Sequence, residues 1–277
     1  MTATLTNLSR CKPLLGTYVS IDLSAELDFD ELVRISSLGY EAITKVHNLM
    51  SYHQTDSQLS QINTKAHLAP ILLHPHTEAV INFSLELAEK TNGIFDPCIA
   101  LHLVKQGLLP DYNQVLTNHS HWENIHIYDH HITFSKPTHL DLGGIAKGYA
   151  VDQAKAVMVK EFIRSNITEP HITINAGGDL TETHWQNRLI NIRHPRTGAP
   201  FKKIEMLNTA LATSSYCYQE KGKRPIINPI SREPLNLTRS ISIFSPSCMI
   251  SDALTKIYAL APDSTIHQEY QAHPVII

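Results

Sequence analysis

The chain has 277 residues, a formal net charge of −3, and 42% hydrophobic against 18% charged residues. This length supports one large domain or two closely joined ones, and the composition is that of a globular protein rather than a disordered one. No run of Lys or Arg occurs in the sequence. Its absence argues against a nucleic-acid-binding surface and against a polybasic membrane patch.

The start of the chain carries no recognisable export signal. Residues 1–10 are polar and mixed in charge, and no apolar run in the sequence is long enough to span a bilayer. Arg10 before Cys11 does not suit a lipoprotein cleavage site, so we expect a cytoplasmic protein without a stable membrane anchor. The cysteines form no Cys-x-x-Cys pair and indicate neither a zinc site nor a disulfide framework. They are Cys11, Cys98, Cys217 and Cys248.

Periodic apolar patterns predict a strand and two helices in the first part of the chain. Residues 18–23 alternate between polar and apolar side chains, which is typical of a strand. Residues 29–50 carry apolar side chains at helical spacing, and Asp28 or Asp30 is able to cap that helix. Residues 76–90 predict a second helix, which ends before an Asn-Gly pair.

The second part of the chain mixes short strands with helices. Two alternating runs within residues 125–135 predict a hairpin. The pattern has no strict strand–helix–strand rhythm, so it favours an α+β fold over a doubly wound parallel sheet. The other predicted elements are a helix over 149–163, strands over 171–175, 188–193 and 241–244, and a helix over 251–260.

The strongest local signal is the segment Asp141-Leu-Gly-Gly-Ile-Ala-Lys-Gly148. Its glycines allow the backbone to approach a ligand closely, and it precedes a predicted helix start, a place that suits phosphate groups. Lys147 adds a mobile cation. A glycine-rich turn with an exposed lysine explains the pattern equally well, and the segment matches neither the dinucleotide-binding nor the P-loop motif.

Three further segments are weaker when each is taken alone. The run Asn175-Ala-Gly-Gly-Asp179 places bare backbone beside a carboxylate, but it also suits an ordinary tight turn. Asp252 and Thr255 lie near a predicted helix start, where an Asp is often only a cap. Phe95, which precedes Asp96 at a helix exit, is better explained as a core residue than as a ligand contact.

Taken together and in this order, these segments resemble the FAD:protein FMN transferase family, the ApbE-type flavin transferases. The resemblance extends over about residues 13–260, and the ordered set is specific although each motif alone is weak. The matching motifs are Pro13-Leu-Leu-Gly-Thr17, Met50-Ser51, Asp56–Asn63, Gly93–Pro97, Asp141–Asp152, Asn175–Asp179, Ala212–Ser214, Ile226–Pro229 and Asp252–Leu254.

The resemblance implies both a fold and a reaction. The fold would be α+β with two lobes, mixed or antiparallel sheets and flanking helices, with FAD bound between the lobes. It would occupy residues 13–262, between an N-terminal extension at 1–12 and a C-terminal tail at 263–277. The reaction would transfer FMN from FAD, a substrate, to a Thr or Ser hydroxyl of an acceptor flavoprotein with release of AMP. Mg²⁺ would assist, because attack on a phosphorus with negatively charged oxygens needs charge neutralisation.

The resemblance also implies roles for individual residues. The metal ligands would be the backbone carbonyl of Ala146, the carboxylate of Asp252 and the hydroxyl of Thr255. Asp252, Lys256 and Lys147 would be the catalytic residues. The FAD site would consist of Met50, His53, Ser57, Asp96, Asp141, Gly143, Gly144, Lys147, Asn175, Gly177, Gly178, Asp179, Thr213 and Ser214.

The chain departs from the family pattern at three positions. Lys256 stands where many members have a Thr that helps to hold the metal, so its ammonium would partly replace the ion or pair with Asp252, unless it points to solvent. Pro225 stands where many members have a His, which leaves His194 as a candidate proton acceptor. His53 stands where relatives often place a Tyr that stacks on the flavin.

Other functions remain open from the sequence alone. The same site with water as the nucleophile would be an FAD pyrophosphatase that releases FMN and AMP. Loss of catalysis at Pro225 and Lys256 would leave a non-catalytic flavin-binding protein, although the charged residues around the glycine loops argue against this. A yellow purified protein would distinguish any flavin binder from a scaffold, and AMP release with and without an acceptor would distinguish transferase from hydrolase.

Overall fold

The computed structural model describes residues 5–112, 120–195, 197–215 and 224–277. Within these ranges the chain forms antiparallel strands and α-helices. The strands are β1 Thr6–Leu14, β2 Thr17–Ala25, β3 Ile71–Leu72, β4 Ile125–Tyr128, β5 His131–Phe134, β6 His171–Ala176, β7 Asp179–Glu182, β8 Leu189–Arg193, β9 Pro200–Glu205, β10 Ala210–Ser214, β11 Ile241–Ser245 and β12 His273–Ile276. The helices are α1 Phe29–Met50, α2 Gln58–Lys65, α3 Pro75–Lys90, α4 Ala100–Lys105, α5 Ala146–Arg164 and α6 Cys248–Leu260.

The main sheet has seven strands in the order β1-β2-β6-β7-β10-β11-β12, and every neighbouring pair is antiparallel. A second sheet has the order β3-β5-β4, and β8 and β9 form a separate two-stranded ribbon. The prediction of an α+β fold with antiparallel sheets and flanking helices is therefore confirmed. The predicted helices and strands do not alternate regularly along the sequence, and this irregular order indicated antiparallel strands with segregated helices.

The two faces of the main sheet are covered by different elements. Helices α1, α5 and α6 pack together on one face, where Ile21, Ile174 and Ile243 are fully buried. Side chains alternate across a sheet, so their neighbours in sequence point to the other face. There Leu211 and Phe244 form a smaller cluster with Ile192 of the β8–β9 ribbon. The ribbon is thus fixed on the face opposite to the helices.

Most of the strongly periodic segments take the predicted form. α1 coincides with the predicted helix over 29–50, and the Asp28 side chain accepts a hydrogen bond from the Glu31 N–H at 2.7 Å as its cap. The predicted hairpin turns at Asp129 and His130, both with positive φ, as a tight two-residue β-turn requires. The sequence did not predict β1, β3, β7, β9, β10, β12 or the short helices α2 and α4.

Both ends of the chain contribute strands to the main sheet. β1 pairs with β2 from Thr6 onward, and β12 pairs with β11 as far as Ile276. The division into an extension, a domain and a tail stays a prediction about boundaries. Among the described residues, no helix is both long and apolar enough to cross a bilayer. Cys217 lies outside the described residues.

Candidate active site

A cleft of about 1840 Å³ opens where the ends of several elements meet. The 141–147 loop, the β6–β7 turn, the end of α1, and residues of β8, β10 and α6 line it. Small-molecule sites usually have volumes of roughly 300–1,000 Å³, so this cleft is large enough for an extended ligand. All of the predicted site residues line it except Ser57 and Thr255.

Asp252 lies at the floor of the cleft in the second turn of α6. Ser247 caps this helix, because its side chain accepts a hydrogen bond from the Ile250 N–H, so the interpretation of Asp252 as a cap is wrong. The Asp252 carboxylate instead faces the first turn of α5. Its Oδ2 accepts hydrogen bonds from Lys147 Nζ at 3.1 Å and from the Gly148 N–H at 3.2 Å.

Two lysines and two aspartates form a compact set that we call the charged cage: Lys147, Asp179, Asp252 and Lys256. Lys147 Nζ lies 3.0 Å from Asp179 Oδ2 and 3.1 Å from Asp252 Oδ2. Lys256 Nζ bonds to Asp252 Oδ1 and, at 2.9 Å, to the Asp252 backbone carbonyl. The expectation that Lys256 pairs with Asp252 is thus confirmed, and the alternative of a lysine turned away into solvent is wrong.

The positive groups of the charged cage are more exposed to the cleft than the negative groups are. The side chains of Asp252 and Asp179 are 1% and 5% exposed, whereas those of Lys147 and Lys256 are 32% and 21% exposed. A ligand entering the cleft therefore meets ammonium groups whose own counter-charges lie beneath them. Partly exposed ammonium groups attract a ligand of the opposite charge. This arrangement suits a polyphosphate.

The protonation states of the charged cage follow from its geometry. Burial disfavours the charged form of Asp252, but the ammonium groups of Lys147 and Lys256 outweigh it and hold the pKa of Asp252 below its usual value. Burial and the neighbouring Asp252 charge raise the pKa of Asp179. Burial alone would lower the pKa of Lys147, and the two carboxylates instead raise it above its usual value. Asp252 is therefore an anion and Lys147 a cation at neutral pH.

The charged cage depends on an unusually close approach of α5 to α6. A Cβ on Gly148 would lie 2.2 Å from the backbone carbonyl oxygen of Cys248, so only glycine permits this contact. Asp152, one turn further along α5, accepts hydrogen bonds from the Ser247 hydroxyl at 2.6 Å and from the backbone N–H groups of Cys248 and Met249, both at 2.9 Å. These contacts hold the first turns of the two helices together.

Asp179 is positioned by the glycine turn between β6 and β7. Gly177 and Gly178 have φ values of +67° and +108°, a region that other residues adopt at a cost. A Cβ on Gly177 would also lie 2.6 Å from Thr17 Oγ1, so the turn packs directly against the start of β2. Asn175 Oδ1 accepts the Gly178 N–H at 3.0 Å and closes the turn.

The predicted residues on β10 and α6 are joined by hydroxyl contacts. Ser214 Oγ lies 2.7 Å from Thr255 Oγ1, and Thr255 also donates to the Asp252 backbone carbonyl at 2.7 Å. Thr255 is fully buried beneath the cleft, whereas Thr213 and Ser214 line it. Thr213 Oγ1 lies 2.9 Å from Ser242 Oγ. These bonds tie the strand to the helix that carries Asp252.

The predicted residues around the end of α1 form one wall of the cleft. Tyr52 is buried and stacks on Tyr112, with ring centroids 6.2 Å apart. Of the two neighbouring rings Tyr52 and His53, it is therefore His53 that is exposed. Ser57 lies behind this wall, where it caps α2 and donates to the Ser51 carbonyl at 2.7 Å. Met50, the last residue of α1, is also part of the lining.

Further lining residues come from the segments around Asp96 and Asp141. Asp96 accepts the Cys98 N–H at 2.8 Å, and burial raises the pKa of its carboxyl group. Burial likewise raises the pKa of Asp141. Pro225 lines the cleft as well, whereas His194 lies in the β8–β9 turn against Phe201 and outside the lining. His194 is therefore not placed to accept a proton there.

The oxygen donors at the charged cage fit a hard divalent cation. Asp252 is ionised, and the buried Asp179 Oδ2 accepts no hydrogen bond although Lys147 lies within ion-pair distance. Carboxylate, carbonyl and hydroxyl oxygens are the ligands that Mg²⁺ prefers. Among the described residues, no group of three or more His, Cys, Asp or Glu side chains converges on one point. An ion at Asp252 would compete with Lys256 for the same carboxylate.

The sequence profile of the ApbE family matches residues 15–274 of the chain. The chain belongs to the ApbE family. The match includes every residue of the charged cage and both glycine loops. It extends over nearly the whole of the main sheet, from β2 to β12.

Curated relatives and solved structures agree with this membership. The chain is 24% identical over 262 residues to the FAD:protein FMN transferase of Chlamydia pneumoniae, covering 87% of this chain and 80% of that protein. It is 26% identical over 254 residues to the enzyme of the same name from Haemophilus influenzae, covering 82% and 72%. The ApbE protein of Thermotoga maritima superposes with a TM-score of 0.83 at 21% identity, covering 98% and 94%. The flavin transferase ApbE of Vibrio cholerae superposes with a TM-score of 0.80 at 20% identity, covering 99% and 94%.

Two contributors to the site were not assigned from the sequence. Asp152 was part of a quoted motif without a role, although its position four residues after Gly148 places both on one face of α5. That spacing was a usable signal for a contact with another helix. Residues 188–193 were predicted as a strand but not as part of the site, and they line the cleft. No local pattern indicates which surface a short strand will border.

Proposed function

We propose that this ApbE family member transfers the FMN half of FAD to a Thr or Ser hydroxyl of an acceptor protein and releases AMP. The observation that carries the proposal is the charged cage, in which two ammonium groups face a large cleft from above two buried carboxylates. Such a floor suits the pyrophosphate of a dinucleotide. The names of the curated relatives support the same reaction.

The reaction needs charge neutralisation more than covalent catalysis. The acceptor hydroxyl oxygen attacks the phosphorus of the FMN half, and the bond from that phosphorus to the bridging oxygen breaks. AMP leaves with the bridging oxygen, and the hydroxyl proton passes to solvent. Lys147 and Lys256 would neutralise the charge that develops on the phosphate oxygens, from positions fixed by Asp179 and Asp252.

The proposed metal is Mg²⁺, held by the Ala146 carbonyl, the Asp252 carboxylate and the Thr255 hydroxyl. When bound, it would supply additional positive charge to the pyrophosphate. Ala146 and Asp252 line the cleft, and Thr255 bonds to the Asp252 carbonyl. His53 and Met50, with Thr213 and Ser214 on another wall, would border the flavin.

The test is mass spectrometry of a threonine-containing peptide incubated with the protein, FAD and Mg²⁺, with AMP measured in parallel. We expect a mass gain equal to FMN and an equal amount of AMP. Asp252→Ala should reduce both by at least about 100-fold, because the two ammonium groups lose their shared anchor. Asp263→Ala, which changes an exposed aspartate beyond α6, is the matched control and should leave both unchanged.

The alternatives give different results in the same experiment. AMP and free FMN without labelled peptide would indicate an FAD pyrophosphatase. Bound FAD without AMP would indicate a flavin-binding protein that lacks catalysis. Equal labelling by the wild type and Asp252→Ala would refute the role of the charged cage.

A further inference from the structure

Strand β8 contributes an uninterrupted run of residues to the cleft. Residues 188–193 all line it, whereas none of the residues of β9 does. Side chains alternate across a strand, so a strand that presents one face would contribute every second residue. A run of consecutive residues means that the backbone edge of β8, on the side away from β9, borders the cleft.

The hydrogen-bond register shows which backbone groups lie on that edge. The Met206 N–H donates to the Arg188 carbonyl at 2.8 Å, and the pairing continues as Leu189 with Glu205 and Ile190 with Ile204. In antiparallel strands, hydrogen-bonded and non-hydrogen-bonded pairs alternate. Ile190 and Ile192 therefore direct their backbone groups toward β9, and the Arg188 carbonyl faces Met206 just beyond it.

Leu189 and Asn191 consequently direct their N–H and C=O groups to the opposite side, toward the cleft. Within the described chain, β8 has β9 as its sheet neighbour and no second one. An edge of this kind is a template for another strand. The ribbon is also firmly supported, because Ile192 is buried against Leu211 and Phe244.

The edge and the charged cage line the same cleft. Leu180, the residue after Asp179, packs against the cluster that holds the ribbon, and it also lines the cleft. The ribbon is basic, since β8 and β9 together carry Arg193, Lys202 and Lys203 against a single carboxylate, Glu205. A strand beside β8 would thus lie next to a basic ribbon, in the cleft that the cage also lines.

We propose that the cleft-facing edge of β8 docks the acceptor protein, whose hydroxyl-bearing segment adds to it as an extended strand. Main-chain hydrogen bonds to Leu189 and Asn191 hold the segment, and acidic side chains near its hydroxyl residue interact with the basic ribbon. This inference rests on the proposed transferase function and specifies how the acceptor is recognised.

The test uses a fluorescent peptide with a central threonine between valines and with aspartates at both ends, added to the protein with FAD. Asn191→Pro removes one N–H from the cleft-facing edge and leaves the bonds to β9 intact. We expect it to weaken peptide binding about 5-fold or more, the effect of one lost hydrogen bond together with the obstruction by the ring. The FAD affinity is measured in parallel, and Asn191→Pro should weaken peptide binding more than it weakens FAD binding.

Matched controls separate the edge from general damage. Lys203 pairs directly with Asn191, so Lys203→Pro removes an N–H from the far edge of the same ribbon. Lys203→Ala removes the same positive charge without removing the N–H. Lys203→Pro should therefore bind the peptide as well as Lys203→Ala does. A peptide N-methylated at alternate residues, which needs no change in the protein, should bind about 5-fold or more weakly than its parent. A peptide with lysines in place of the aspartates should also bind more weakly.

The outcomes for docking and for catalysis are distinct. Absence of peptide binding, equal weakening by Asn191→Pro and Lys203→Pro, or unchanged binding of the N-methylated peptide would overturn the docking proposal. Edge-dependent binding without FMN labelling would support the docking strand and count against the transferase. If Asn191→Pro left FMN labelling of the peptide unchanged, the result would support the transferase and count against the docking strand.

Discussion

Asp252 accepts hydrogen bonds from two lysine ammonium groups and one backbone N–H, and this concentration of donors determines the character of the site. Removing one partner of a buried ion pair leaves the other charge uncompensated, which is costly. Lys256 is the partner at which the family resemblance implies a Thr in many members. Its ammonium bonds to Asp252 Oδ1, an oxygen that a metal ion would also need.

We therefore predict that Lys256→Thr makes the activity more dependent on Mg²⁺. If FAD binds as proposed, the ammonium of the wild type would supply positive charge at the pyrophosphate even without the ion. Chelation of Mg²⁺ should lower the rate of AMP release of the variant by a factor about 10-fold larger than that for the wild type. Excess Mg²⁺ should restore most of the rate of the variant. Titration of AMP release against Mg²⁺ measures this. Lys160→Thr, an exposed lysine on α5, is the control. Identical Mg²⁺ curves for Lys256→Thr and the wild type would contradict the prediction.

At the scale of elements, the contact between the first turns of α5 and α6 is what brings Lys147 to Asp252. The contact has a steric part at Gly148 and a polar part at Asp152. Asp152 satisfies backbone N–H groups at the start of α6, a role usually filled by a residue of the same helix. Separation of the two helices would therefore separate the charges of the cage.

We predict that Gly148→Ala destabilises the protein by about 2–3 kcal/mol, because overlap with the Cys248 backbone outweighs the gain of about 1 kcal/mol in helix propensity. Gly39→Ala is a matched control in α1, where the new Cβ would meet the flexible end of Met158 at 2.8 Å. It should cost less than about 1 kcal/mol. Urea unfolding of both variants measures the difference. If Gly148→Ala and Gly39→Ala unfolded with equal free energies, α6 would be able to move away from the new Cβ without loss of stability.

The elements also show what the sequence could and could not predict. α1 was predictable because its apolar residues keep a 3.6-residue period and Asp28 caps it. β7 was read only as the end of a glycine turn, since four residues are too few to show alternation. β12 shows no clear burial alternation, and most of its residues are half-buried. Pattern reasoning detects an element by its own periodicity, and short strands have little of it, whether central like β7 or at an edge like β12.

The site was predictable only as a set of separate segments. Lys147, Asp179 and Asp252 come from α5, β7 and α6, and nothing local to each indicates that they meet. The family resemblance grouped them, and the structure supplies their distances. Pairing between Lys256 and Asp252 was foreseeable because residues four apart share a helix face. The edge of β8 was not foreseeable, because it depends on how the ribbon packs.

At the scale of the whole molecule, the cleft draws its lining from segments spread between Cys11 and Leu260 and from the ribbon on the far face of the sheet. A ligand that fills it would connect elements that otherwise touch little. We predict that FAD at about 100 times its Kd stabilises the folded protein by about 2.7 kcal/mol. Thermal unfolding with and without FAD measures this.

The same measurement tests the charged cage through the choice of ligand. At equal concentrations, riboflavin carries the isoalloxazine ring but no phosphate, so it should raise the unfolding temperature much less than FAD does. This difference should decrease in high salt, which screens the partly exposed ammonium groups. An equal rise with both ligands would mean that the ring alone is recognised.

The order of strands in the main sheet, β1-β2-β6-β7-β10-β11-β12, is the same as their order along the chain. During synthesis on the ribosome, each new strand can therefore pair with the one made before it, and no strand has to be inserted between two that are already joined. The strand order therefore permits the sheet to grow in one direction from the amino terminus. Asp252 lies between the last two strands, so Lys147 and Asp179 are synthesised before it. A nascent chain acquires its complete anionic floor only as its final strands emerge.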